Sequence, residues 1–173
     1  MPPTIPQPVL APLTESAVFL TLVVEPGGEA AVRDALPDLG ELARAIGFRL
    51  PDEDLTCVIG IGSALWDRLF DGPRPAHLHP FRELVGERHR APATPGDLFL
   101  HVRAKRLYPC FELGRRALDM LGPAVTVADE VQGFRYFDAR DLLGFVDGTE
   151  NPTAQAAIDA TIIGEEDPTF AGG

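Results

Sequence analysis

The order in which strand-like and helix-like runs follow one another leaves few folds open to this chain. "SAVFLTLVV", Ser16 to Val24, is β-branched and aromatic and of strand length. Pro26, Gly27 and Gly28 end it. From Glu29 to Ile46, apolar residues recur at Val32, Leu36, Leu39, Ala43 and Ile46, a helical stripe able to cover one face of a sheet. Pro37 falls inside that stripe and is expected to kink or divide the helix, because it removes a backbone donor. "LTCVIGI", Leu55 to Ile61, reads as a second strand and "SALWDRLF", Ser63 to Phe70, as a short helix. In "DLFLHVRA", Asp97 to Ala104, Leu98, Leu100 and Val102 alternate with Phe99, His101 and Arg103, the period of a strand with one buried face. A helix is expected from about Pro109 to Leu121, with Phe111, Leu113, Ala117, Leu118 and Leu121 available for its buried face; its proline lies in the first turn, where it is tolerated. "AVTVADEV" and "FRYF" supply the last strand.

Strand, helix, strand, short helix with long loop, strand, helix, strand is the split βαβ arrangement of a ferredoxin-like sandwich. The expected class is α+β, with one antiparallel sheet and its helices on a single face. Three parts follow: a proline-rich arm over 1–14, a ferredoxin-like domain over 15–138, and a loop and connector over 139–173. The stretch from Asp71 to Gly96 is rich in proline and polar residues and reads as one long surface excursion. The uncovered sheet face must meet something else, either a partner copy or a missing half. From Asp141 the chain reads as turns, then a short helical or apolar piece, "AQAAIDATII", then a tail ending on Gly172 and Gly173, as though more sequence were to follow.

Charge narrows the partners. With 26 acids against 15 bases the formal net charge is −11, which would repel a phosphate backbone at long range, so nucleic acid is not expected. Arg82, Arg88, His89 and Arg90 are interspersed with Glu83 and Glu87 and read as a solvated face. The opening "MPPTIPQPVLAPL" carries no Lys or Arg and is broken by five prolines, unlike a secretory signal or a membrane span. The two cysteines, Cys57 and Cys110, have no neighbours at metal spacing and read as small core residues of a cytoplasmic protein.

Few residues offer chemistry. His77 and His79 are spaced to face one side of a strand and could hold a metal, but they lie among prolines without a third ligand, and a surface loop is the plainer reading. His101 could face a pocket or be a hydrogen-bonded strand histidine. No nucleophile elbow or phosphate-cradling glycine loop is present in the sequence. The informative stretch is "GFVDGTENP", Gly144 to Pro152, where two glycines bracket an aspartate and Glu150 follows. An Asx turn would account for an isolated Asp-Gly pair. Two glycines also suit a backbone that approaches something closely while presenting a carboxylate.

Read whole, "GFVDGTENP" resembles the GxxDG motif of the dye-decolorizing peroxidases. "QPVLAPL", "PATPGDLFLHVRA", "CFEL" and "GFRYFDARDLLGFVDGTENP" resemble successive landmarks of the family's bacterial cytoplasmic branch, over about Gln7 to Gly173. The resemblance implies a haem peroxidase built from two ferredoxin-like halves, which uses hydrogen peroxide to oxidise dyes or phenolic compounds as small-molecule reductants. It implies that Asp147 is the distal acid/base, that Gly148, Thr149 and Glu150 line haem b, and that Gly144 forms the turn. It further implies that the axial histidine and a distal arginine come from a C-terminal half absent from this sequence. A homo-oligomer and an encapsulating shell protein are the other implied partners. An incomplete chain, a split enzyme and an inactive truncation all fit; the competing class is a non-catalytic ferredoxin-like module for ligand binding or dimerisation.

Overall fold

The computed structural model describes residues 7–146 and 148–173; the first six residues of the predicted arm, and Asp147, lie outside the described residues. The central strand is β1 (Ser16–Val24), with α1 (Glu29–Arg49), β2 (Thr56–Ile61) and α2 (Ser63–Leu69) following it in the chain. Two-residue strands β3 (Leu84–Val85) and β4 (Arg90–Ala91) form a small hairpin inside the long excursion, and β5 (Leu98–Ala104), α3 (Leu107–Leu121), β6 (Val125–Phe134) and α4 (Ala154–Thr161) complete the order. The main sheet runs β2-β5-β1-β6 with every neighbouring pair antiparallel, the strand order of a ferredoxin-like sandwich.

Register explains the core. Val18 lies opposite Val102, Leu20 opposite Leu100 and Leu22 opposite Leu98, so three buried cross-strand pairs form one apolar face. Val32, Ala35, Leu39 and Ile46 of α1 and Pro109, Cys110, Leu113, Gly114, Ala117 and Leu121 of α3 are the buried residues of these covering helices. Each fully buried leucine here contributes roughly 1.5–3 kcal/mol over an exposed one. The other register of β1 and β5 holds Ala17, Phe19, Thr21, Phe99, His101 and Arg103 on the face that carries no helix, as the pattern of the sequence required.

Two local expectations are corrected. The first helix is not divided at Pro37: α1 runs unbroken to Arg49. Pro37 is exposed, so the hydrogen bond it forgoes lies toward water, while the buried stripe on the other side continues past it from Val32 and Ala35 to Leu39 and Ile46. Phe111 does not face the core but is exposed, because the buried positions of α3 run through Cys110, Leu113, Gly114, Ala117 and Leu121, leaving position 111 off the stripe. The predicted solvated face holds, with Arg90 paired to Glu83 at 2.6 Å among exposed residues.

The arm is tied down at two points. The Gln7 side chain donates to Ile59 O at 2.9 Å and accepts from Ile59 N at 2.7 Å, imitating a ladder rung on the outer edge of β2. Buried Arg103 donates to Pro8 O at 2.9 Å and to Ala11 O at 3.3 Å.

Truncating Leu22 to alanine should cost about 2–5 kcal/mol, whereas Phe48→Ala, at 89% exposure, should stay within about 0.5 kcal/mol. Denaturant unfolding of the two variants checks this; equal losses would mean that the row of β1 leucines is not the core.

Candidate active site

The loop after β6 owes its shape to Asp141, which sequence reading had passed over. Its Oδ1 accepts from Leu143 N and from Phe145 N, both at 2.9 Å. The backbone closes around the same residue: Asp141 N donates to Phe145 O at 2.9 Å and Gly144 N to Asp141 O at 3.0 Å. An antiparallel bridge joins Arg140 to Val146, and the Arg140 guanidinium donates to Gly144 O at 2.9 Å. The result is a small hairpin that carries the chain up to position 147. The signal was in the sequence: aspartate before a turn that ends in glycine is the pattern of an Asx turn.

The two glycines are required for different immediate reasons. Gly144 has φ +95° with open space where a Cβ would stand, so conformation alone selects it. Gly148 has φ +80°, and a Cβ there would also come within 3.1 Å of Asn151 Nδ2. A side chain in the left-handed region costs about 1–2 kcal/mol. Thr149 and Glu150 form the following exposed turn, closed by Asn151 N donating to Gly148 O at 3.1 Å. Four of the five predicted site residues therefore lie on two consecutive turns flanking position 147. The fifth, Asp147, is outside the described residues.

The loop presents apolar side chains to solvent: Leu142, Leu143 and Phe145 are 73%, 83% and 67% exposed. That much apolar surface beside a turn marks a surface made for contact.

None of the histidines is placed as a ligand set. His77 and His79 are exposed in the long loop, and among the described residues no group of three His, Cys, Asp or Glu side chains could hold a metal. Of the two readings of His101, the hydrogen-bonded one has no partner among the described residues; its ring stacks on Phe19 with centroids 4.5 Å apart, on the face of the sheet that carries no helix. Desolvation, helped by the neighbouring Arg103 charge, holds its pKa below the ordinary 6.5. Burial pushes the Cys57 thiol up to about 12 and the Cys110 thiol to about 11, so neither is a nucleophile near neutral pH.

The fold defines a class: a ferredoxin-like α+β sandwich followed by a glycine-braced loop. Comparison with known proteins narrows it. The profile "Dyp-type peroxidase, N-terminal" matches residues 6–135, and "Dyp-type peroxidase, C-terminal" matches residues 138–173. The chain belongs to the Dyp-type peroxidase family. It is 62% identical over 172 residues to a dye-decolorizing peroxidase of Mycolicibacterium paratuberculosis, covering 99% of this chain and 49% of that one. It is 60% identical over 172 residues to one of Mycobacterium tuberculosis, covering 99% and 51%. Among solved structures, the encapsulated DyP-type peroxidase from Mycobacterium smegmatis superposes with a TM-score of 0.94 at 60% identity, over 97% of this chain and 54% of that one. A DypB variant from Rhodococcus jostii RHA1 in complex with heme gives 0.92 at 52%, over 96% and 55%. The chain thus spans about half the length of the relatives it matches.

Asp141→Ala should speed amide exchange at Leu143 and Phe145 roughly tenfold, through loss of two hydrogen bonds, while Asp141→Asn, which keeps an acceptor oxygen, should change it little. His101 should titrate below 6.5 by NMR. As pH falls through 6.5 the unfolded chain takes up the proton first, so stability declines until the folded imidazole is protonated, and His101→Phe should flatten that part of the curve.

Proposed function

We propose that this chain supplies the distal wall of a haem peroxidase that uses hydrogen peroxide to oxidise dyes or phenolic compounds. The observation that carries the reading is the loop itself: two left-handed glycines and the Asp141 hairpin bracket the single position 147, beside exposed apolar side chains suited to a flat apolar group. Haem b, when bound, supplies the iron at which peroxide is reduced. Asp147 takes a proton from one peroxide oxygen and returns it to the other, so that water can leave. A carboxylate suits this work in mild acid: with a reference pKa of about 3.9 it remains a base where a histidine near about 6.5 is protonated. Gly148 lets backbone approach the porphyrin, Thr149 and Glu150 line it, and Gly144 sets the turn.

The axial histidine and the arginine that stabilises developing negative charge belong, in this reading, to a C-terminal half. Residues 15–138 form the ferredoxin-like domain, 1–14 its arm and 139–173 the distal loop and connector. The family profiles, changing over between residues 135 and 138, support that division. A homo-oligomer in the cytoplasm is the expected form. An encapsulated relative supports packaging in a shell protein, and no described helix is long and apolar enough to cross a membrane.

In an enzyme carrying both halves, Asp147→Ala should slow the reaction with peroxide by about 10²–10⁴-fold, and turnover should favour mildly acidic pH. Stopped-flow mixing with peroxide measures the first and a pH profile the second. Unchanged peroxide reactivity in the variant would remove Asp147 from the role of distal acid.

A further inference from the structure

Position 147 stands between two closed turns, and the bonds that close them run within the loop itself, so no covering layer is needed to form them. On the near side, Asp141 Oδ1 accepts from Leu143 N and Phe145 N, and Asp141 N donates to Phe145 O, each at 2.9 Å. Arg140 bridges to Val146 across the hairpin, and its guanidinium donates to Gly144 O at 2.9 Å. On the far side, Asn151 N donates to Gly148 O at 3.1 Å. Val146 and Gly148, the chain neighbours of residue 147, are therefore both members of hydrogen-bonded turns.

Such bonds add no reacting group. They fix where the backbone runs, and so the place from which a neighbouring side chain leaves it. Proton transfer to and from peroxide tolerates little misplacement, since a shift of about 1 Å in a catalytic group can cost about 100-fold in rate. Of the bonds on the near side, the three at Asp141 and the one from the Arg140 guanidinium close the hairpin around Gly144 and bring Val146 back beside Arg140.

We propose that Asp141, supported by Arg140, is a positioning residue for the peroxide reaction: through the hairpin it sets where the Asp147 carboxylate stands, without itself touching peroxide. The inference rests on the distal-acid reading of Asp147 and adds to it the residues that hold the acid in place.

A double-mutant cycle in an enzyme carrying both halves tests it. Asp141→Ala should slow the reaction with peroxide about 10–100-fold, and Asp141→Asn, which keeps an acceptor oxygen, should restore most of the rate. In an Asp147→Ala background, Asp141→Ala should slow the reaction no further, because no carboxylate is left to position. Arg140→Ala, which removes only the bond to Gly144 O, should cost severalfold and serves as the second variant should Asp141→Ala fail to fold. In the haem-free 173-residue chain, the amide resonances of Val146 and Gly148 should move in Asp141→Ala and stay near their wild-type positions in Asp141→Asn. An unchanged rate in Asp141→Ala, equal slowing in both backgrounds, an Asn variant as slow as the Ala variant, or unmoved Val146 and Gly148 resonances would each overturn the proposal. A slow Asp147→Ala enzyme beside a fast Asp141→Ala one would remove this proposal alone, whereas an Asp147→Ala enzyme as fast as the wild type would remove the distal-acid reading and the proposal with it.

Discussion

Everything in this molecule hangs on the two-sided pairing of β1. It pairs with β5 over Ser16 to Leu22 on one side and with β6 over Ser16 to Val24 on the other, with one register shift against β6 between Thr21 and Leu22, so its alternate residues are committed to opposite faces. The even-numbered residues, Val18 to Val24, join Leu98, Leu100 and Val102 under α1 and α3. The odd-numbered residues then have to form the other face, which puts Phe19 beside His101 and leaves an aromatic and cationic surface without a helix over it. A single register thereby sets both the core that stabilises the fold and the surface that awaits a further layer.

The same sheet delivers the distal loop. β6 ends at Phe134, Arg135 N donates to Glu15 O at 2.8 Å, and the chain then turns into the Asp141 hairpin. Among the described residues no helix or long strand holds that hairpin; the Asp141 carboxylate on two backbone donors, an Arg140–Val146 bridge and the Arg140 guanidinium on Gly144 O do. Gly144 and Gly148 supply conformations that other residues adopt only under strain, and their positions on either side of residue 147 give the loop its direction. Farther along, the tail returns to the long excursion: Ala76 N donates to Asp167 Oδ2 at 2.8 Å, and Phe170 packs edge-on to Trp66 with centroids 5.7 Å apart. Segments that look irregular in sequence are therefore fastened by individual contacts, a hydrogen bond at one point and an aromatic edge at another.

Much of this was legible in the residues. The alternation of Leu98, Leu100 and Val102 with Phe99, His101 and Arg103 reports a half-covered strand because side-chain direction has period two, and the structure keeps that division. The stripe of α1 was equally readable, but the effect of Pro37 was not, since it depends on which side of the helix the ring lies. Phe111 misled for a related reason: hydrophobicity marks a residue as able to be buried, and the angular position of the stripe decides whether it is. The pairing of Arg103 with arm carbonyls more than ninety positions away has no local signature at all. At the site, motif and glycines were visible in sequence, whereas Asp141, which shapes the loop, was hidden because one Asx turn looks like many others.

The most direct measurement of the central claim is an optical titration with haem of this chain, alone and mixed with a polypeptide spanning the remaining half of the relatives' length. If the chain is a distal wall whose axial ligand lies elsewhere, a sharp Soret band of histidine-ligated ferric haem forms only in the mixture. The same band from this chain alone would contradict the account, because one of its four histidines would then be the ligand to iron.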